Sequence, residues 1–242
     1  MSVSLPKALL ISLRDPKDPM TAHEHRCFTE RAQLPASNLI AHHMIDGPPS
    51  TDLLKAHDVL FFGGSGAFSV LDDQPWIGQF IDVLLRVLDL QIPSWASCFG
   101  FQGLAIGLGG RVIRDTEHTE MGSTLLHLTE AGKKDPLLSV LPEAFWGQEG
   151  HHDRIIECPP ALTLLARGDF VREQATRVEG APFWASQFHP ELTVEETLYR
   201  FRYYQDHYID RAEADKMHAQ LNGGLETPEM SKILPRFVRG EY

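Results

Sequence analysis

The sequence predicts an α/β fold with a mostly parallel central sheet, helices on both faces and a helical C-terminal tail. Short apolar segments of strand length alternate with longer amphipathic segments of helical spacing. This alternation is typical of βαβ units, whose crossover helices cover both faces of a parallel sheet. Because the 242 residues contain no internal repeat and no clear linker, we expect a single domain over residues 1–242, with residues 193–242 as a helical extension.

The N-terminal half predicts four strands, each followed by a helix or a glycine-rich turn. The expected strands are short apolar runs: Lys7–Leu13, Asn38–Ile45, Asp58–Phe62 and Ile92–Ser97. Helices are expected at Thr21–Leu34, in a short turn at Asp52–Ala56, and at Trp76–Leu90. The last is the strongest, because six apolar residues follow one side of it: Ile77, Phe80, Ile81, Leu84, Leu85 and Leu88.

The C-terminal half predicts more strands and then helices. The segment Arg111–Leu128 has the composition of a β-hairpin. Further strands are expected at Asp153–Leu165, Val171–Val178 and Trp184–Phe188. Helices are expected at Val194–Tyr208 and Arg211–Leu221, before a polar segment with scattered apolar residues at Glu226–Tyr242.

Composition and charge exclude several classes of protein. The apolar fraction of 43% is ordinary for a globular chain, and no apolar run reaches the ~18–20 residues of a membrane span. The segment Met1–Lys7 lacks the pattern of a secretory signal, so we expect a cytoplasmic protein without a membrane partner. The formal net charge of −11 argues against a nucleic-acid partner, which would require clustered Lys and Arg.

Three cysteines are present, and the context of one of them indicates a working thiol. An odd, sparse set does not predict a disulfide framework. Cys98 follows a predicted strand and precedes a glycine-punctuated helix, whereas Cys27 lies within a predicted helix and Cys158 precedes two prolines. Free cysteines are often small buried hydrophobic residues, and we assign that role to Cys27 and Cys158.

The turn around Cys98 has the small residues that a nucleophile between a strand and a helix requires. Ala96, Gly100 and Gly103 leave room where the two backbones approach. The next backbone N–H, that of Phe99, can then donate to an oxyanion. We expect the helix N-terminus to favour the thiolate and lower the pKa of Cys98.

The segment His189-Pro190-Glu191 supplies the remaining groups for thiol chemistry. A thiol nucleophile needs an imidazole as its base, and the imidazole needs an acceptor that fixes its tautomer. Pro190 restricts the backbone and can hold His189 and Glu191 in a fixed relation. The alternative is a surface histidine beside a glutamate at a helix start.

Together these segments resemble the class I (triad-type) glutamine amidotransferases, and specifically the free-standing, GMP-synthase-like kind. Members carry Gly-x-Cys-x-Gly-x-Gln and a late His-Pro-Glu, often preceded by Gln-Phe as in Gln187-Phe188. The weaker matches are Gly63-Gly64, Glu120-Met-Gly122 and Gly150-His151-His152-Asp153. The resemblance spans roughly residues 9–191 and implies a flavodoxin-like sheet. The family's glycine two residues before the cysteine is Ala96 here, and Ser97 replaces an apolar residue.

The resemblance implies that Cys98 attacks the side-chain amide of glutamine, with His189 as the base and Glu191 as its orienting carboxylate. It implies an oxyanion hole from the N–H groups of Gly64 and Phe99. It also implies a substrate pocket formed by five residues: Gln102, Glu120, Gly122, His151 and Asp153. The Ser97 hydroxyl is expected near the nucleophile. No cofactor is implied.

Three functions remain open at this level. The first is a glutaminase that releases ammonia for a separate synthetase subunit, since 242 residues leave no room for a synthetase module. The second is a γ-glutamyl peptidase or hydrolase with the same triad, and the third is a non-catalytic regulatory protein that retains the fold. The twelve histidines show no zinc-site spacing with cysteine, and we expect no metal.

Overall fold

A computed structural model describes residues 5–208, 221 and 223–242. Over these residues it contains eleven strands, numbered in chain order: β1 Ala8–Ser12, β2 Leu39–His43, β3 Val59–Phe62, β4 Ser94–Ser97, β5 Arg111–Arg114, β6 Glu120–Leu128, β7 Ala144–His151, β8 Asp153–Glu157, β9 Leu162–Gly168, β10 Ala175–Val178 and β11 Phe183–Ser186. The α-helices are α1 Pro19–Arg31, α2 Thr51–Lys55, α3 Pro75–Asp89, α4 Phe99–Gly107, α5 Val194–Tyr208 and α6 Ile233–Val238. Short 3-10 helices lie at Ala36–Asn38, Met44–Asp46, Thr116–His118, Gly132–Lys134, Leu138–Val140 and Pro228–Lys232.

The central sheet has nine strands in the order β2-β1-β3-β4-β11-β10-β9-β6-β7. The first five pair in parallel, and the other four extend the sheet with antiparallel pairs. The predicted fold class is therefore confirmed, with the parallel strands forming one side of the sheet and the antiparallel strands the other. A separate two-stranded sheet pairs β5 with β8.

Two apolar cores cover the two faces of the parallel strands. Alternate residues point to opposite faces, so Leu60 and Phe62 of β3 belong to one core and Val59 and Phe61 belong to the other. The first core packs against α3 and α4, through residues such as Phe80. The second core packs against α1 and α6. Burial on both faces explains why these strands are continuous apolar runs in the sequence.

The predicted hairpin at Arg111–Leu128 is wrong. Its two halves form β5 and β6, which lie in different sheets because the 3-10 helix Thr116–His118 redirects the chain between them. The predicted strand Asp153–Leu165 divides into β8 and β9. Strand β7 was not predicted, since its two glycines and its polar Gln148 and Glu149 hide a strand pattern.

The C-terminal segment contributes to the core. Phe237 of α6 contacts the rings of Phe61, Trp95 and Trp184. Helix α5 has the predicted bounds, whereas the predicted helix Arg211–Leu221 lies outside the described residues except for Leu221. The single-domain organisation stays a prediction, which the packing of α6 supports. Within the described residues, no helix has both the length and the apolar character needed to cross a membrane.

Candidate active site

The predicted catalytic segments meet at one edge of the sheet. Strands β3, β4 and β11 are parallel neighbours, with Ala96 of β4 opposite Phe62 of β3 and Ala185 of β11. Gly64, Cys98 and His189 follow these three strands, so the chain places all three at the carboxyl ends, where α/β sheets commonly bind ligands.

Cys98 occupies a sharp turn between β4 and α4. Its φ of 51° and ψ of −101° are unusual for a residue with a side chain, and such backbone costs about 1–3 kcal/mol. Its N–H donates to the Ser186 carbonyl at 2.7 Å. A Cβ at Gly100 would lie 3.0 Å from the Cβ atoms of both Ala96 and Phe62. The small residues around Cys98 are therefore required by the close approach of strand and helix.

His189 and Glu191 form a buried pair. His189 Nδ1 lies 2.7 Å from Glu191 Oε1. A carboxylate only accepts, so Nδ1 carries the hydrogen, and Nε2 of the neutral ring can accept a proton. The Ser97 hydroxyl, expected beside the nucleophile, instead donates to Glu191 Oε2 at 3.0 Å. Burial would raise the pKa of Glu191, but His189 and then Arg200 hold it below its ordinary value.

The pKa of the Cys98 thiol is raised, which corrects the expectation of a lowered value. Burial is the largest cause, followed by the negative charges of Glu149, Asp153 and Glu191. The Phe99 N–H at the start of α4 acts in the predicted direction, but desolvation and three carboxylates outweigh it. In this conformation the protein favours the thiol over the thiolate.

Two glutamine side chains connect the nucleophile to the substrate side. Gln187 donates Nε2 towards Cys98 Sγ at 3.4 Å. Gln102 donates Nε2 to Gln187 Oε1 at 3.1 Å and to the Asp153 carbonyl at 2.9 Å. The sequence identified Gln102 as a site residue, but it identified Gln187 only as part of a motif.

Gly64 lies against the catalytic residues, but its N–H is already engaged. A Cβ at this position would lie 3.0 Å from His189 Cε1 and 3.8 Å from Cys98 Cβ. The Gly64 N–H donates to Glu24 Oε1 at 3.1 Å, and Glu24 is a buried partner of Arg14 at 3.2 Å. The predicted oxyanion donor therefore faces away from a substrate in this conformation.

Two cavities meet at Cys98. The smaller, of about 50 Å³, is lined by Cys98, His189 and Glu149 among others. The larger, of about 440 Å³, is lined by Cys98 together with three of the predicted substrate residues: Gln102, His151 and Asp153. That volume is within the ~300–1,000 Å³ typical of small-molecule sites.

The other two predicted substrate residues lie outside the described lining of both cavities. Glu120 Oε2 contacts His151 Nε2 at 3.2 Å and accepts from Gln174 at 2.7 Å. Gly122 has a φ of 85°, and a Cβ there would collide with the side chain of Leu221. Their substrate contacts stay predictions. In the structure Glu120 contacts the predicted substrate residue His151, and Gly122 lies against Leu221.

Sequence reasoning missed several charged residues around the site. Arg14 and Glu149 line the smaller cavity, while Asp72 and Arg114 line the larger one. The position of Arg14 just beyond the first predicted strand was an available signal, because side chains at that edge reach the site. Glu149 lies in the unpredicted strand β7.

The other two cysteines have the inert settings that the sequence indicated. Cys27 is buried in α1, where burial raises its pKa to about 12. Cys158 is half-buried, and burial also raises its pKa.

Comparison with known proteins identifies a family and a matching fold for this chain. The family model described as "Glutamine amidotransferase class-I" matches residues 20–204. A relative from Sulfurisphaera tokodaii, named as one subunit of glutamine-hydrolyzing GMP synthase, is 30% identical over 141 residues, which cover 58% of this chain and 71% of the relative. A glutamine amidotransferase structure from Thermotoga maritima has a TM-score of 0.70 at 18% identity and covers 98% of this chain and 99% of its own. The structure of a putative GMP synthase subunit from Thermoplasma acidophilum has a TM-score of 0.64 at 22% identity, covering 88% of this chain and 99% of its own.

Proposed function

The chain belongs to the class I glutamine amidotransferase family, and on that premise we propose that it hydrolyses the side-chain amide of glutamine through Cys98, His189 and Glu191. The observation that carries the proposal is the strained turn of Cys98, which places its thiol in a cavity shared with His189. The bond from His189 to Glu191 supports the role of His189 as the base.

The proposed reaction proceeds through a thioester. Cys98 Sγ attacks the amide carbon while His189 Nε2 takes the thiol proton. The tetrahedral intermediate collapses as His189 returns that proton to the leaving nitrogen, and ammonia departs. Water, deprotonated by His189, then attacks the γ-glutamyl thioester and releases glutamate and the Cys98 thiol. Phe99 N–H is one proposed oxyanion donor, and Gly64 N–H is the other once its bond to Glu24 is broken.

The smaller cavity supports ammonia as the leaving group. The base that protonates the leaving nitrogen must lie beside it, and His189 lines a cavity of only about 50 Å³. A site of this size accommodates ammonia, whereas the amine half of a peptide would have to extend out of it. The larger cavity would then hold the glutamyl half near Gln102, His151 and Asp153. These sizes favour glutamine over γ-glutamyl peptides, which remain the alternative substrate.

We also propose that a separate chain accepts the ammonia. Several relatives are named as single subunits of GMP synthase. From them we infer for this chain only that it works with a separate subunit. The engaged Gly64 N–H supports this idea, because partner docking commonly completes such sites through a conformational step.

The decisive experiment measures two products from the purified protein: ammonia from glutamine and free amine from γ-glutamyl peptides. We expect ammonia release that Cys98→Ala abolishes and that Cys158→Ala retains, because Cys158 lines neither described cavity. Amine release that exceeds ammonia release would establish the peptidase alternative. The non-catalytic alternative would be supported by folded protein that shows neither activity and whose Cys98 does not react with an electrophilic glutamine analogue.

A further inference from the structure

A buried cluster of two carboxylates and one imidazole lies behind the smaller cavity. Glu120 and His151 are paired at the start of β6 and the end of β7, and Glu149 lies two residues before His151 on the same strand. The exposed fractions are 5% for Glu120, 1% for Glu149 and 4% for His151. One ligand atom from each residue lies within 4.8 Å of the other two.

The cluster has more acceptor atoms than donors. Three buried carboxylate oxygens have no hydrogen-bond partner within the described residues: Glu120 Oε1, Glu149 Oε1 and Glu149 Oε2. An unpaired buried carboxylate is costly, because water no longer solvates its charge. These oxygens therefore require a positively charged partner or a proton.

The orientation of His151 turns a lone pair towards one oxygen of each carboxylate. His151 Nδ1 lies 3.0 Å from the Asp153 carbonyl, and a carbonyl only accepts, so Nδ1 carries the hydrogen. Nε2 of the neutral ring then faces Glu120 Oε2 at 3.2 Å and Glu149 Oε2 at 3.4 Å. A second proton on His151 would satisfy at most one further carboxylate oxygen, so the cluster would still hold unpaired acceptors.

The two separations from His151 Nε2 match those between ligands of one metal ion. Zn²⁺ binds nitrogen and carboxylate oxygen at about 2.0–2.2 Å. From a metal at about 2.1 Å, ligand atoms 3.2 and 3.4 Å apart subtend angles of about 100° and 110°, between octahedral and tetrahedral values. Two of the ligand side chains are also held by further contacts, since Gln174 donates to Glu120 Oε2 and the Asp153 carbonyl accepts from His151 Nδ1. Such outer contacts are typical of metal ligands.

We propose that Glu120, Glu149 and His151 bind one divalent transition-metal cation, with Mn²⁺ and Zn²⁺ as the matching ions. Both ions accept mixed imidazole and carboxylate ligands. The cation reaches the site through the smaller cavity, which Glu149 lines together with Cys98. No zinc-type spacing signals the site in the sequence, because its ligands come from two paired strands.

Mn²⁺ is the more selective probe, because thiols bind it poorly and the Cys98 thiol would therefore not contribute to the measured binding. The experiment titrates chelator-treated full-length protein with Mn²⁺ and follows the free ion by electron paramagnetic resonance. The wild type should bind one equivalent, and Glu149→Gln should weaken binding at least about 100-fold, because it removes a ligand rather than an outer contact. Mn²⁺ and Zn²⁺ should each raise the Tm of the wild type but not that of Glu149→Gln.

The matched control is Glu196→Gln. Glu196 belongs to a second trio with His23 and Cys27, so unchanged Mn²⁺ affinity in this variant assigns binding to the proposed site. Glu149→Gln keeps the shape of the side chain, so a normal metal-free melt should accompany its loss of affinity. Absence of stoichiometric Mn²⁺ and Zn²⁺ binding by the wild type would overturn the proposal, as would equal affinity in Glu149→Gln.

Discussion

Replacing Glu191 by glutamine tests the hydrogen bond on which the proposed mechanism depends. The substitution keeps the side-chain shape but removes the charge that stabilises imidazolium on His189. Glu191 is fully buried, accepts from His189 Nδ1 at 2.7 Å and accepts from the Ser97 hydroxyl at 3.0 Å. The short bond and the exclusion of solvent make it a charge-assisted contact of the stronger kind.

The magnitude follows from that contact. Hydrogen bonds to charged groups contribute about 1.5–3 kcal/mol, and each 1.36 kcal/mol corresponds to about tenfold in rate. If the contact stabilises the transition state and not the bound substrate, kcat falls roughly 10- to 200-fold while KM changes little. Cysteine depends less on its base than serine does, so the loss stays below the ~10⁴-fold of a serine triad.

The assay is steady-state ammonia release from glutamine, with a thermal melt of each variant. Glu196→Gln is the matched control, because Glu196 lies in the first turn of α5 and contacts His23 and Arg26 rather than the catalytic pair. His189→Ala should be at least as damaging, and the double variant should be far from additive because the two residues act as a unit. A folded Glu191→Gln protein with unchanged kcat would refute the role of Glu191 and leave a pair of Cys98 and His189.

Four further outcomes are expected. Cys98→Ala abolishes ammonia release while Cys27→Ala retains most of it, and full activity in Cys98→Ala would contradict the mechanism. The raised pKa of Cys98 leaves only a small thiolate fraction at neutral pH. The rate at which iodoacetamide alkylates Cys98 should therefore keep rising above about pH 9, whereas an ordinary thiol has a pKa of ~8.5. A rate that levels off below pH ~9 would contradict this. Gly64→Ala should lower kcat about 10- to 100-fold, since its Cβ would lie 3.0 Å from His189, while Gly78→Ala, with open space around its Cβ, leaves kcat unchanged. The isolated chain should hydrolyse glutamine with kcat/KM well below ~10⁶ M⁻¹s⁻¹, and a value near that figure would remove the need for a partner.

The sequence predicted the parallel strands well and the antiparallel strands poorly, for a physical reason. Strands buried on both faces are continuous apolar runs, so β3 stands out as Val59–Phe62. Strand β7 instead has a cavity on part of one face and carries Gln148 and Glu149 among its buried residues. Polar residues that serve a site interrupt the periodicity that identifies a strand.

The residues of the candidate site likewise differ in how well the sequence predicts them. Cys98, His189 and Glu191 were predictable, because a tight turn and a restrained His-Pro-Glu leave local signals in the sequence. Contacts between distant segments leave none: Glu24 is 40 residues from Gly64, and its bond depends on how α1 packs over the sheet. The raised pKa of Cys98 was likewise hidden, since its causes include burial and carboxylates from β7 and β8.

Two features of the resting site oppose catalysis, and both originate in buried carboxylates. Glu24 holds the Gly64 N–H at 3.1 Å, and Glu149 is the largest charged contributor to the raised pKa of Cys98. Loss of one oxyanion donor costs about 10²–10³-fold in kcat, and a thiol that stays protonated adds to that loss. A partner that turned the Gly64 N–H towards the substrate, or a cation that neutralised Glu149, would relieve one of these obstacles. The low activity expected of the isolated chain and its expected activation on assembly would therefore share an origin in the contact between Glu24 and Gly64. An active complex in which Gly64 still contacts Glu24 would contradict this proposal.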